Sequence, residues 1–185
     1  MYANRSEAGR QLVRSLQHLR GSDVVVLGLP RGGVPVAAGV AAALGAPLDV
    51  VVVRKLGAPA DPELAVGAIA EGGSLVVDPL LAEHAGVTGE DLDRRLARER
   101  GELRRRSRRL RGAHPPADLR GRAALLVAAP VGSAEAVALV RRTADEVVCH
   151  TVPPALDGVG RWYRDLSPVS EDEVVALLAD ERTAA

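Results

Sequence analysis

Apolar residues fall into short runs separated by glycine, proline and charge, and the spacing within each run predicts an element. Ala8, Leu12, Val13, Leu16 and Leu19 recur at helical intervals across residues 6–19. Residues 24–27, Val-Val-Val-Leu, are continuously apolar and mostly β-branched, the pattern of a strand covered on both faces. Gly28-Leu29-Pro30-Arg31-Gly32-Gly33 interrupts that run, and residues 34–44 read as an Ala-rich helix that Gly45 is placed to end. A second buried strand is centred on residues 50–53 and closed by Arg54-Lys55. Strand, helix and strand in so short a span make a βαβ unit, which requires parallel pairing and a right-handed crossover.

Further along, residues 59–73 mix Pro, Gly and Asp and predict an irregular stretch ending in a hairpin at Gly72-Gly73, followed by a short strand over 75–77. Residues 89–110 form a long, Arg-rich helical pattern, broken at His114-Pro115-Pro116. A third buried strand is expected over 123–129, and Ser133 is placed to cap a helix running to about Arg142. A fourth strand over 146–152, a loop over 153–163 and a closing helix over 170–179 complete the pattern. There is no internal repeat and no low-complexity linker. The expected class is α/β, a mostly parallel, doubly wound sheet flanked by helices, in a single domain over residues 1–185.

Composition narrows the chemistry. Hydrophobic residues are 47% and charged residues 26% of the chain, which fits a globular protein with a sizeable core. Phe is absent and Tyr2, Trp162 and Tyr163 are the only aromatics, so Val, Leu and Ala must pack the interior. Lys plus Arg and Asp plus Glu both number 24, so no net field attracts nucleic acid. Cys149 is the only cysteine, which excludes an internal disulfide and a thiolate metal cluster. No apolar run reaches the ~18–20 residues of a membrane span, and the polar start lacks the core of a secretion signal, so the cytoplasm is the expected compartment.

The glycine-rich turn at residues 28–33 carries the clearest chemistry. Glycines let amide N–H groups approach an anion, and Arg31 adds a guanidinium fork suited to phosphate oxygens. It is neither a Walker loop nor a Gly-x-Gly-x-x-Gly dinucleotide turn, and the plain alternative is a strand-to-helix connection. Arg54-Lys55 is expected at the same sheet edge, either as anion ligands or as a solvated strand end. The Arg run over 94–111 contains Glu99 and Glu102 and no aromatic residue, which favours a solvated amphipathic helix over an RNA-binding one. Cys149 and His150 are neighbours in a strand and point to opposite faces, which argues against a catalytic dyad. His18, His84 and His114 lack metal-ligand spacing and read as surface residues. Trp162 and Tyr163 could stack on a base or plug the end of the sheet.

Together, residues 28–35, 54–59, 63–70 and 159–165 resemble the type I phosphoribosyltransferases, and in particular a bacterial branch named simply for that activity. The likeness runs from Arg5 and Gly9 to the final helix. It implies that Pro30, Arg31, Gly32 and Gly33 hold the pyrophosphate of phosphoribosyl pyrophosphate. It further implies that Arg54 and Lys55 approach the same group, in some members across a dimer, so a homodimer is an implied assembly. By the same resemblance Val159, Tyr163 and Asp165 belong to a small C-terminal hood that meets the base and the metal-bound pyrophosphate, with Mg²⁺ arriving on the donor. Neither nucleic acid nor membrane is an implied partner.

The sequence departs from that family at one place. Its members end an apolar strand in two acidic residues and then a Gly/Thr-rich turn, which holds the ribose hydroxyls and the 5-phosphate. Here the corresponding strand is followed by Ala128-Ala129-Pro130-Val131-Gly132-Ser133. Either the acidic turn decayed in place, or a strand, turn and helix were deleted and two strands fused, leaving the sheet one βα unit short. The chain's shortness favours deletion. Gly132-Ser133 could offer backbone N–H groups to a phosphate but cannot replace two carboxylates, and Asp145 and Glu146 start a strand at the opposite edge. Catalytic residues are therefore not assigned. Three readings remain open: transfer of ribose 5-phosphate to a base, a degenerate relative that binds a phosphorylated ligand or a partner, and a phosphatase- or hydrolase-like activity.

Overall fold

The computed structural model describes residues 1–121 and 124–184. In chain order the first elements are α1 (Arg5–Leu12), β1 (Val26–Gly28), α2 (Gly33–Leu44) and β2 (Leu48–Val50). Next come β3 (Val53–Gly57), β4 (Ala65–Ala70), β5 (Leu75–Val77), α3 (Pro79–His84) and α4 (Gly89–Arg111). The chain closes with β6 (Leu126–Val131), α5 (Ala134–Val140), β7 (Glu146–Thr151) and α6 (Glu171–Ala184). It divides into two compact units, one of residues 1–50 and 116–185 and the other of residues 51–115.

The first unit has the α/β character the pattern predicts. β1 pairs with β2 in parallel, Leu27 opposite Asp49, and β6 pairs with β7 in parallel, Val127 opposite Val147. α2 connects β1 to β2 and ends where Gly45 takes a left-handed conformation at φ 65°. Leu12, Val13, Leu16 and Val40 form a buried cluster, against which Leu126, Ala128 and Val148 pack. α1 and α2 thus cover the β6–β7 pair, and burying these aliphatic side chains contributes roughly 1.5–3 kcal/mol each.

The second unit is an antiparallel sheet of order β3-β4-β5 with α4 laid on it. Leu96, Leu103 and Leu110 are the buried leucines of α4, seven residues apart, so they share one face. Thr88 and Asp91 close the N-terminus of α4 with reciprocal side-chain bonds. At its other end Arg111 is buried and pairs with Glu71, which also accepts from the Val52 N–H at 2.9 Å and the Ser107 hydroxyl at 2.7 Å.

Several expectations change. The first helix stops at Leu12 and continues as two short 3-10 turns, separated where Leu16 leaves helical geometry at φ −114°, ψ 12°. The strand expected over 50–53 is two strands, β2 ending at Val50 and β3 starting at Val53 in a different sheet. Residues 59–73 are not irregular throughout: 65–70 are β4, which hydrogen-bonds to a strand on each side, with the hairpin at Gly72-Gly73 where it was expected. The expected third strand is β6, Leu126–Val131, half-buried along most of its length; Ala123, where it was expected to start, lies outside the described residues. α3 was not expected. No helix among the described residues is long and apolar enough to cross a membrane.

Candidate anion-binding site

The turn at residues 28–33 links β1 to α2, as the sequence implies, and its amide groups can be accounted for one by one. The Gly33 N–H donates to the Leu29 carbonyl at 3.0 Å and the Val34 N–H to the Arg31 carbonyl at 3.2 Å. Pro35 has no N–H, and Gly32, the N-cap of α2, offers no side-chain cap. Among the described residues nothing accepts from the N–H groups of Arg31 and Gly32. Two N–H groups without a protein acceptor among the described residues therefore stand at the positive end of a 12-residue helix dipole. The Pro30–Arg31 peptide bond is cis. The Arg31 side chain is exposed, and no carboxylate among the described residues pairs with it. Gly28 is needed where it is: a Cβ there would lie 3.0 Å from the Cα of Val34.

A further side chain of the same unit, Arg5, reaches this turn and also holds the 165–167 segment. Arg5, on the first turn of α1, donates from Nη1 to the Ser167 carbonyl at 2.7 Å. Its guanidinium lies over Gly32, where an added Cβ would stand 3.0 Å from Nε and 3.4 Å from Nη2. Asp165 is exposed and accepts from the Ser167 N–H at 2.8 Å and the Ser167 hydroxyl at 2.5 Å. Those two bonds, with a lesser contribution from the Arg5 charge, outweigh the opposing effect of burial and hold the Asp165 carboxyl below its ordinary range, so it is a carboxylate at neutral pH. In the sequence Arg5 marks only where the family likeness begins; its partner is 162 residues away, a separation no local pattern reports.

The remaining expected residues are placed less uniformly. Tyr163 is half-buried, its ring 5.3 Å from that of Tyr2, and burial followed by the Tyr2 neighbour pushes its hydroxyl pKa up. Tyr163 thus plugs against Tyr2 instead of standing open. Val159 is exposed on a 3-10 turn, Val159–Trp162. Ser133 accepts from the Ala136 N–H at 3.1 Å, so its hydroxyl is occupied in capping α5, which has only seven residues. Gly132 lies against Cys149, whose sulfur would be 3.3 Å from an added Cβ. β6 runs out through Ala128, Ala129, Pro130 and Val131 with no acidic side chain.

Arg54 and Lys55 are not at the end of a strand paired with β1. They lie within β3, where Arg54 Nε donates to Glu99 at 2.7 Å and Lys55 Nζ to Glu63 at 2.7 Å. Each cation already has a carboxylate partner in its own unit. Among the described residues no group of three or more His, Cys, Asp or Glu could hold a metal ion. Asp165 offers a single ionised carboxylate, which fits a Mg²⁺ that brings most of its ligands on a polyphosphate.

A family profile described as the phosphoribosyl transferase domain matches residues 4–127. The chain belongs to that family. Two Mycobacterium tuberculosis proteins, from strains CDC 1551 and H37Rv and each provisionally named a phosphoribosyl transferase, are 40% identical over 205 aligned residues. Each match covers 96% of this chain and 46% of the relative, so the chain spans about half the length of these curated relatives. The crystal structure of TT1426 from Thermus thermophilus is similar at a TM-score of 0.80 and 38% identity, covering 97% of this chain and 98% of that one. The match to the mycobacterial proteins extends over 205 positions against a chain of 185, so at least 20 positions have no residue here. The profile match ends at Val127, inside β6.

Proposed function

We propose that this phosphoribosyl transferase chain binds the pyrophosphate end of phosphoribosyl pyrophosphate at residues 30–33 and transfers its ribose 5-phosphate to a base. The observation that carries the reading is the pair of amide N–H groups at Arg31 and Gly32, free of protein acceptors among the described residues, beside the unpaired, exposed Arg31 guanidinium. Backbone donors at a helix start with one guanidinium fork suit a multiply charged oxyanion. In such a transfer pyrophosphate leaves as positive charge develops on the ribose, so stabilising the departing charge lowers the barrier. Bound Mg²⁺ would neutralise part of that charge, with Asp165 the carboxylate nearest in role. Arg54 and Lys55 are not part of this reading, since each is paired within its own unit, with Glu99 and Glu63.

A second reading is a family member that binds the phosphorylated ligand without transferring it, in a regulatory or structural role. The acid-free exit of β6 favours it, because no carboxylate there is available to hold ribose hydroxyls. Calorimetric titration with phosphoribosyl pyrophosphate and with pyrophosphate, each with Mg²⁺, separates the two. Tighter binding of the full donor, with pyrophosphate release on adding a base, supports transfer. Equal affinity for both means the ribose end is not read and favours the binding-only protein. No binding of either ligand removes the anion site from residues 30–33.

A further inference from the structure

We infer that Arg5 is a second guanidinium of the anion site and fastens the Pro30–Gly33 turn to the 165–167 turn around the bound ligand. The inference rests on the pyrophosphate reading of that turn and extends it to a residue far away in sequence. Arg5 emerges from the first turn of α1, with Asn4 capping the helix through a bond to the Glu7 N–H at 2.9 Å. From there its side chain extends towards two places at once. Nη1 is committed to the Ser167 carbonyl at 2.7 Å, and Nη2 stands 3.5 Å from the Leu166 carbonyl.

Nε faces the other way, towards Gly32, and among the described residues it has no acceptor. The half-buried Arg5 guanidinium thus stands beside the Arg31 and Gly32 amides with one N–H that no protein group takes up. It is well arranged for an oxyanion that takes donors from all three. The absence of a side chain at Gly32 is what admits Arg5, since a methyl group would push against Nε. Asp165 lies on the turn that Arg5 grips, so the cation for phosphate oxygens and the carboxylate for a metal on those oxygens are positioned by one side chain. Lys in its place would carry the charge but not the planar fork that reaches Ser167 and Gly32 together.

The test is pyrophosphate titration, with Mg²⁺, into the whole chain carrying Arg5→Gln or Arg5→Lys, with thermal melting of each variant alongside. Arg5→Gln is expected to weaken binding about tenfold or more, in line with loss of a charge-assisted hydrogen bond. Arg5→Lys is expected to fall between it and the wild type, and a purely structural role would move the melting temperature without that graded order. If the wild type binds and both variants bind equally well, Arg5 is not a ligand, although the turn still binds the anion. If the wild type itself does not bind, the pyrophosphate reading fails first. Should Arg5→Gln not fold, Arg5→Lys decides alone: affinity several-fold weaker supports the inference, and wild-type affinity overturns it.

Discussion

The hydroxyl of Tyr2 donates to the carbonyl of Pro130 at 2.7 Å, joining the start of the chain to the end of β6. Tyr2 is 2% exposed, its N–H donates to the Trp162 carbonyl at 2.7 Å, and its own carbonyl accepts from Arg164 at 2.9 Å. The segment carrying Asp165 is therefore anchored on residues 2 and 3. Tyr2→Phe keeps the ring and removes the hydroxyl's bond to the Pro130 carbonyl, and is expected to cost about 1 kcal/mol. Tyr2→Ala also empties a buried site and is expected to cost about 3–5 kcal/mol. Urea unfolding checks both, and a Phe variant as unstable as the Ala variant would contradict the assignment of the larger share to packing.

Gly9 and Gly101 should respond to alanine in opposite directions. A Cβ at Gly9 would stand 2.4 Å from the backbone oxygen of Val36, so α1 and α2 would have to separate. Gly9→Ala is expected to destabilise by about 1–3 kcal/mol or more. Gly101 lies exposed within α4 with nothing within 4 Å of an added Cβ. Gly101→Ala is expected to stabilise its helix by up to about 1 kcal/mol. Denaturant melts of the two variants, compared with the wild type, decide the pair.

Acid should loosen the second unit through Glu71. Burial works to raise its pKa, but the Arg111 bonds, the Val52 N–H and the Ser107 hydroxyl outweigh burial and hold it below 4.5. A folded pKa depressed below the unfolded one contributes stability that is fully present above about 4.5 and lost as pH falls through the lower, folded value. Wild-type stability is expected to decline over that acid window, and Glu71→Gln should lack this component. At neutral pH Glu71→Gln removes the carboxylate from buried Arg111, at a cost of about 3 kcal/mol. Unfolding of both proteins between neutral pH and pH ~3, below the ordinary carboxylate range, shows whether the acid limb is displaced.

Arg31 should matter for ligand and not for fold. It is exposed and unpaired, and Arg31→Met is expected to leave stability within about 0.5 kcal/mol of wild type. Pyrophosphate affinity with Mg²⁺ should fall by roughly ten- to a hundredfold, the worth of a charge-assisted contact. Calorimetry and melting on the same sample separate the two effects, and a large stability loss would show that Arg31 has a structural partner.

The β1–turn–α2 segment was legible because an unbroken apolar run, a glycine-rich break and an Ala-rich helix follow each other within about twenty residues. β4 was not. Its sequence, Ala-Val-Gly-Ala-Ile-Ala, has only Val66 and Ile69 to bury, and hydrogen bonding to β3 and β5 on its two sides makes it a strand. Arg54 and Lys55 were misplaced for the same reason: a run of valines over 50–53 hides the point where the chain leaves one sheet for another. Tyr2 and Arg5 could not have been found from spacing, since their partners lie 128 and 162 residues away. What the family resemblance supplied was the turn, while the side chains that surround it came from the fold.

Asp49, buried in β2, accepts the Ala117 N–H at 2.8 Å. The chain passes into residues 51–115 just after Asp49 and comes back just before Ala117. The two crossing points are thus pinned side by side by one hydrogen bond within the parallel-stranded unit. The intervening 51–115 segment is topologically a parenthesis: it opens and closes at one spot, and a short peptide joining Val50 to Pro116 would span the gap.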